Sequence, residues 1–291
     1  MRIISVALLV GLAASGCGQA SDDTLVAYGR ENSSGTYMYF KEHVLENGDF
    51  GAGVQTLQGT GQVVQAVSKD KRAMGYGGIA YDKGVRVLLV KKDAASPAIA
   101  PSEENVVKGT YPISRYLFFY TIGEPDGALR HFIDWARGPE GQKVCSQVGY
   151  YPLPLDRQVK PADAPPAGKR TLTMKGSDTM VILGGKWVEH YMKKFPDVTL
   201  QVTGGGSGVG IKALKEGETD ICQSSRPMKQ KEKDEMKAKH GKAPVEFAVA
   251  LDGLAIFVNE TNPLREITLE QLKGIYTGKV KTWGQLAGKA P

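Results

Sequence analysis

Three times in 291 residues an apolar run gives way to a short loop of Ser, Thr and Gly and then to an amphipathic run, and no other feature narrows the possible folds so far. Leu25-Val26-Ala27-Tyr28 leads into Gly29-Arg30-Glu31-Asn32-Ser33-Ser34-Gly35-Thr36 and on to Tyr37 to Leu45. Thr173 to Thr179 runs from a short strand into a helix over Met180 to Lys194, and Val202 to Gly210 runs from a strand into Ile211 to Glu216. Such a turn ends at a helix N-terminus, where backbone N–H groups lack partners and the macrodipole is positive, so it suits an anion. Arg30 adds a planar fork of donors shaped for a tetrahedral oxyanion. One such loop would be an ordinary N-cap. Three predict helix openings that meet at one point and build a site almost wholly of donors.

Hydrophobic residues make up 41% of the chain and 36 residues are Gly, enough for one large or two medium domains with real cores. The formal charge of +6 is modest. Lys229 to Lys242 is Lys-rich but also carries Glu232, Asp234 and Glu235, so it reads as a solvated helix face, and no nucleic-acid partner is expected.

Met1-Arg2, the apolar stretch Ile3 to Ala14 and the small residues before Cys17 form a targeting segment too short to span a bilayer as a mature helix. It resembles a bacterial lipoprotein signal, which implies cleavage before Cys17 and lipidation of that thiol; an ordinary secretory signal is the alternative. Export implies an oxidising compartment. Cys145 and Cys222 then remain, and both lie in apolar patterns that read as buried small hydrophobes rather than a bridge or a metal site.

Along the rest of the chain, Val85 to Val90 and Arg115 to Tyr120 read as strands, and Asp126 to Ala136 and Pro139 to Val148 as helices. Leu155 to Lys169 is rich in Pro and Ala without periodicity, hence a linker. From Thr171 strands and helices alternate again, through Ile221 to Ser224 and a charged helix over Lys229 to Lys239. Val245 to Val258 is a long apolar run interrupted by Asp252-Gly253, and Leu269 to Tyr276 is a short helix. Alternation of this kind predicts an α/β fold with mainly parallel sheets and a ligand at the carboxyl ends of strands.

The chain resembles the periplasmic phosphate-binding proteins of ABC phosphate importers, the PstS type. The stretches that carry the resemblance are Lys175 to Met180, Thr203 to Gly208, Asp220 to Pro227, Ala250 to Ala255, Gly29 to Thr36 and Gly75 to Gly78. It implies a two-lobe periplasmic-binding-protein-like (type II) α/β fold with a hinge and an interlobe cleft. In that family the Gly-Ser-Asp-Thr loop opens the protein and the Arg-to-Ser-Gly-Thr loop comes past its middle. Here the order is reversed, which implies a circularly permuted chain; a shuffled assembly of two half-genes is the alternative. The implied organisation is a signal peptide over 1–16, a lipid-anchored tether over 17–24, one split lobe of 25–109 with 255–291, and a continuous lobe over 110–254 holding the linker 155–169.

By resemblance, Arg30, Ser34, Gly35 and Thr36 donate to inorganic phosphate from the split lobe, and Ser177, Thr179, the backbone N–H of Met180 and Ser207 from the continuous one. Phosphate carries a proton at neutral pH, and relatives with a Ser-Asp-Ala-Pro motif accept it on that Asp. Ser225, followed by Arg226, stands at this position. Asp178 or Asp252 then supplies the acceptor, or selectivity against sulfate weakens. Asp252 is favoured because it interrupts an apolar strand, with a hinge hydrogen bond as its alternative role. Arg226 is either a second cationic donor or a surface residue at a strand end.

The implied partners are phosphate and an ABC permease in the inner membrane, for a monomer held at the periplasmic or cell surface by its lipid at Cys17. No cofactor and no metal are expected, and no enzymatic activity. The Gly-rich loop lacks P-loop and dinucleotide spacing, Ser207 is not followed by Gly two residues on, and His43, His131, His190 and His240 sit singly on helical patterns and read as exposed. The rival functions are binding of sulfate, arsenate or molybdate, and a phosphate-releasing hydrolase.

Overall fold

The computed structural model describes residues 23–167 and 171–286, and the leader with Cys17 lies outside them. The strands are β1 (Val26–Arg30), β2 (Gln55–Leu57), β3 (Ala73–Gly78), β4 (Arg86–Val87), β5 (Leu89–Lys91), β6 (Ser114–Ile122), β7 (Thr171–Gly176), β8 (Thr199–Thr203), β9 (Ile221–Ser224), β10 (Pro244–Val258) and β11 (Glu266–Thr268). Nine of them form one sheet in the order β2-β1-β3-β10-β6-β9-β7-β8, with β4 added against β10, while β5 and β11 pair separately.

One strand joins the two halves of this sheet. The apolar run 245–258 is not broken at Asp252-Gly253: it lies within the single 15-residue strand Pro244–Val258. Its first part pairs with β6 from Pro244 to Gly253, and its last part with β3 from Leu254 to Val258. From Val249 to Val258 every residue in it is buried, so it reads as a run rather than an alternation. The expectation of mainly parallel sheets is corrected here. β1 pairs in parallel with β2 and β3, and β7 with β8 and β9, but β10 runs antiparallel to β3, β4 and β6, and β6 to β9. The strand expected over Val85 to Val90 is also divided, because Arg86 and Val87 join β10 while Leu89 to Lys91 turn to β11.

Helices cover the sheet wherever an apolar stripe allows it. Helix Thr60–Lys69 lies so close to β3 that a Cβ at Gly75 would meet Val63 Cγ1 at 2.5 Å. Helices Gly127–Arg137, Pro139–Val148 and Val181–Lys194 enclose Phe132, Trp135, Cys145 and Trp187 in a core that continues beneath both halves to Val63 and Phe257. A second core stacks Phe40 on Tyr76 at 4.0 Å, with the Tyr276 ring edge-on to both. Burying an aromatic side chain of this size contributes about 1.5–3 kcal/mol.

The Pro/Ala segment is laid along helix Gly127–Arg137. Val159 N–H donates to Arg137 O, and His131 Nε2 lies 2.9 Å from Ala162 O while its Nδ1 lies 2.7 Å from the Tyr191 hydroxyl. His131 is therefore buried, contrary to its reading as a surface residue, because the segment and Tyr191 cover it. The two described ends also meet. Thr24 bridges Thr282, Leu25 N–H donates to Lys281 O, and Trp283 N–H donates to Asp23 O.

Candidate anion-binding site

The three loops follow the carboxyl ends of β1, β7 and β8, and a fourth follows β9. Their side chains meet. Thr36 Oγ1 lies 2.7 Å from Thr179 Oγ1, Ser177 donates to Ser225 Oγ at 2.9 Å, and Ser207 Oγ lies 3.4 Å from Ser225 Oγ while accepting from Ser225 N–H. A Cβ added to Gly35 would stand 2.3 Å from Ser207 Oγ and 2.7 Å from Ser225 Oγ. Only a residue without a side chain permits that approach. Gly208 N–H donates to Ser33 O, tying the first loop to the third.

Local structure explains why each hydroxyl is there. Ser34 caps helix Gly35–His43, its Oγ accepting from Thr36 and Tyr37 N–H. Thr179 sits in the single 3-10 turn Asp178–Met180 that opens helix Val181–Lys194, and Ser207 is the first residue of helix Ser207–Glu216. Ser34, Thr36, Ser177, Thr179, Ser207 and Ser225 are all at most 1% exposed. Six buried hydroxyls beside three helix openings can donate to a tetrahedral oxyanion from several directions at once.

The charges in this region do not add up to an attraction. Arg30 donates through Nε and Nη2 to Glu31, through Nη2 to Asp178 Oδ2 at 3.1 Å and through Nη1 to Thr60 Oγ1 at 2.7 Å. Arg115 donates through Nε and Nη2 to Asp252 Oδ2 at 2.9 and 2.8 Å, through Nη1 to Ser225 O and through Nη2 to Thr36 Oγ1, both at 3.0 Å. Two guanidiniums thus face three carboxylates. An anion placed here would be held by aligned N–H and O–H dipoles and helix ends rather than by net positive charge.

Asp178 also accepts from Gly205 N–H at 2.8 Å, and Tyr81 donates to the Asp178 carbonyl. Asp252 is fully buried. Burial pushes its carboxyl upward against the lowering effect of Arg115 and of the Ile79 N–H, which donates to Oδ1 at 3.1 Å. Its two oxygens are thus taken by Arg115 and by the Ile79 N–H.

Two further expected residues stand apart from the hydroxyl cluster. Arg226 is neither a surface residue nor a donor to the cluster: it is buried, with Nη1 and Nη2 on Glu232 at 2.8 and 2.7 Å, because the helix after Lys229 brings Glu232 back over it. Met180 places its side chain in the core and its N–H on Ser177 O at 3.0 Å. Arg115 was not among the expected residues. Its signal was a lone cation in the aromatic stretch Ser114 to Tyr120, which cannot be buried without a counter-charge.

Among the described residues no group of His, Cys, Asp and Glu is placed to hold a metal ion, and no helix is long and apolar enough to cross a membrane. Cys145 and Cys222 are buried and free.

Comparison with known proteins adds the following. A protein family described as a PBP superfamily domain matches residues 14–140 and 161–291. The phosphate-binding protein PstS 2 of Streptococcus pneumoniae is 27% identical over 277 residues, covering 92% of this chain and 89% of that one. The phosphate-binding protein PstS of Pseudomonas aeruginosa is 37% identical over 132 residues, covering 44% and 41%. The crystal structure of a phosphate-binding protein of a phosphate ABC transporter from Streptococcus pneumoniae superposes with a TM-score of 0.69 at 26% identity, covering 90% of this chain and 99% of that chain.

Proposed function

The chain belongs to the PBP superfamily domain family, and from that premise we propose that it binds inorganic phosphate outside the cytoplasmic membrane and delivers it to an ABC importer. The observation that carries this is the convergence of buried hydroxyls from four loops, with Thr36 against Thr179 and Ser177 against Ser225. The proposed ligand contacts are Arg30, Ser34, Gly35, Thr36, Ser177, Thr179, Ser207 and Ser225. The names of the Streptococcus and Pseudomonas relatives, both phosphate-binding proteins, support the choice of ligand. The role is capture and release without turnover, carried out by a monomer tethered by a lipid at Cys17.

The proposal includes the domain organisation: lobes of 25–109 with 255–291 and of 110–254, hinged where β10 passes from β6 to β3. It also includes permuted chain order. The hydrogen bonds between residues 23–25 and 281–283, which bring the two described ends together, support it.

Calorimetric titration of the purified mature protein with phosphate, sulfate, arsenate and molybdate tests the function. Half a dozen charge-assisted or buried hydrogen bonds, less the cost of ordering, predict a phosphate Kd of about micromolar or tighter. Absence of phosphate binding below about millimolar, or tighter binding of another anion, overturns it.

A further inference from the structure

Arg115 touches two loops of the hydroxyl cluster and the strand shared by the two halves. It lies on β6 directly opposite Asp252 of β10. Its Nη2 reaches Thr36 Oγ1, its Nη1 reaches the Ser225 carbonyl, and Nε and Nη2 hold Asp252 Oδ2. The Tyr39 ring lies beneath the guanidinium, 5.3 Å from its carbon.

We propose that Arg115 is a positioning residue of the anion site, which forces the Thr36 hydroxyl to act as a donor into the cleft. A guanidinium has no acceptor, so its contact with Thr36 Oγ1 takes a lone pair of that oxygen. The hydroxyl proton is then left for Thr179 Oγ1, 2.7 Å away, or for the oxygen of an anion. Asp252 cancels the charge of Arg115, so the pair sets the direction of a hydrogen bond without adding net charge. Lysine, with one compact ammonium, cannot hold Asp252, Thr36 and the Ser225 carbonyl together. This inference rests on the oxyanion-binding reading and adds a residue and a mechanism to it.

The test is a double-mutant cycle in phosphate affinity, measured by calorimetry alongside denaturation of each variant. Arg115→Gln/Asp252→Asn removes both charges while keeping the polar shapes. It is expected to weaken phosphate binding about tenfold or more in the parent, and less than about threefold in a Thr36→Ala background, since the hydroxyl it orients is then gone. Unchanged affinity, or an equal loss in both backgrounds, overturns the proposal whatever happens to stability. Should the paired variant not fold, Arg115→Lys replaces it, with the same expectation of a loss that vanishes with Thr36→Ala and the same overturning result. A parent that binds no phosphate overturns the oxyanion reading and this inference with it; a parent that binds while the losses add overturns this inference alone.

Discussion

Thr36 Oγ1 and Thr179 Oγ1 lie 2.7 Å apart although 143 positions separate them along the chain. One belongs to the loop after β1 and the other to the loop after β7, at opposite flanks of the central strand β10. The loops that carry these donors are therefore brought together by the tertiary fold, and binding should respond sharply to changes that push them apart.

Gly35→Ala is the smallest such change. The added methyl would overlap Ser207 Oγ and Ser225 Oγ. Overpacking of this kind costs about 1–3 kcal/mol, which, taken up in binding, is a loss of about five- to 150-fold in phosphate affinity. Calorimetry should show the loss while the far-ultraviolet circular dichroism spectrum stays that of the parent.

Arg30→Ala removes donors to Glu31, Thr60 and Asp178 at once. The carboxylates it leaves behind are each 20% exposed and can recruit water, so the protein should stay folded. Phosphate affinity should fall by about ten- to a hundredfold, and Arg30→Lys should restore part of it. Unfolding of Arg30→Ala at 25 °C in a thermal scan would contradict this account.

Glu232 supplies the pH dependence. Burial pushes its carboxyl up, but the fork of Arg226 and the N–H of Lys229 outweigh burial and hold it below the usual carboxylate range. A depressed folded-state pKa stabilises the protein above the unfolded value, near 4.3, and that contribution fades as pH falls through the folded value. Urea denaturation should show Glu232→Gln less stable than the parent at pH 7, with the gap closing below about pH 4.

Cys145 and Cys222 should be silent to thiol reagents in the native state. Burial raises both thiols far above their ordinary range, and both side chains are fully covered. A mature chain whose Cys17 is blocked or removed should titrate no thiol until denatured, and two thereafter. Two fast-reacting thiols in the folded protein would refute the burial described here.

Much of this site could be read from residue order, because its parts are local. Ser34, Thr179 and Ser207 stand where a strand meets a helix, a pattern written within four or five residues, and Ser34 caps its helix. What escaped was long-range. Arg115 looked like one polar residue at the edge of an aromatic strand until Asp252, 137 positions away, was found opposite it. Arg226 reads as either a cationic donor or a surface residue at a strand end, because nothing local tells that the next helix returns Glu232 to it. His131 looked exposed until a Pro-rich segment without periodicity covered it. Strand direction escaped too: an apolar run announces burial, but whether β10 lies parallel or antiparallel to its neighbours depends on connections that no single run encodes.

The lacing of residues 23–25 to 281–284 has a practical corollary. Where two stretches at opposite ends of the numbering already share hydrogen bonds, a short peptide bridge could join them with little distortion, and the ribbon could instead be opened in the Pro/Ala stretch that runs over helix Gly127–Arg137. The tertiary object would be the same, read out by the ribosome in a different order. On that expectation, the place at which synthesis starts would set gene arrangement rather than shape.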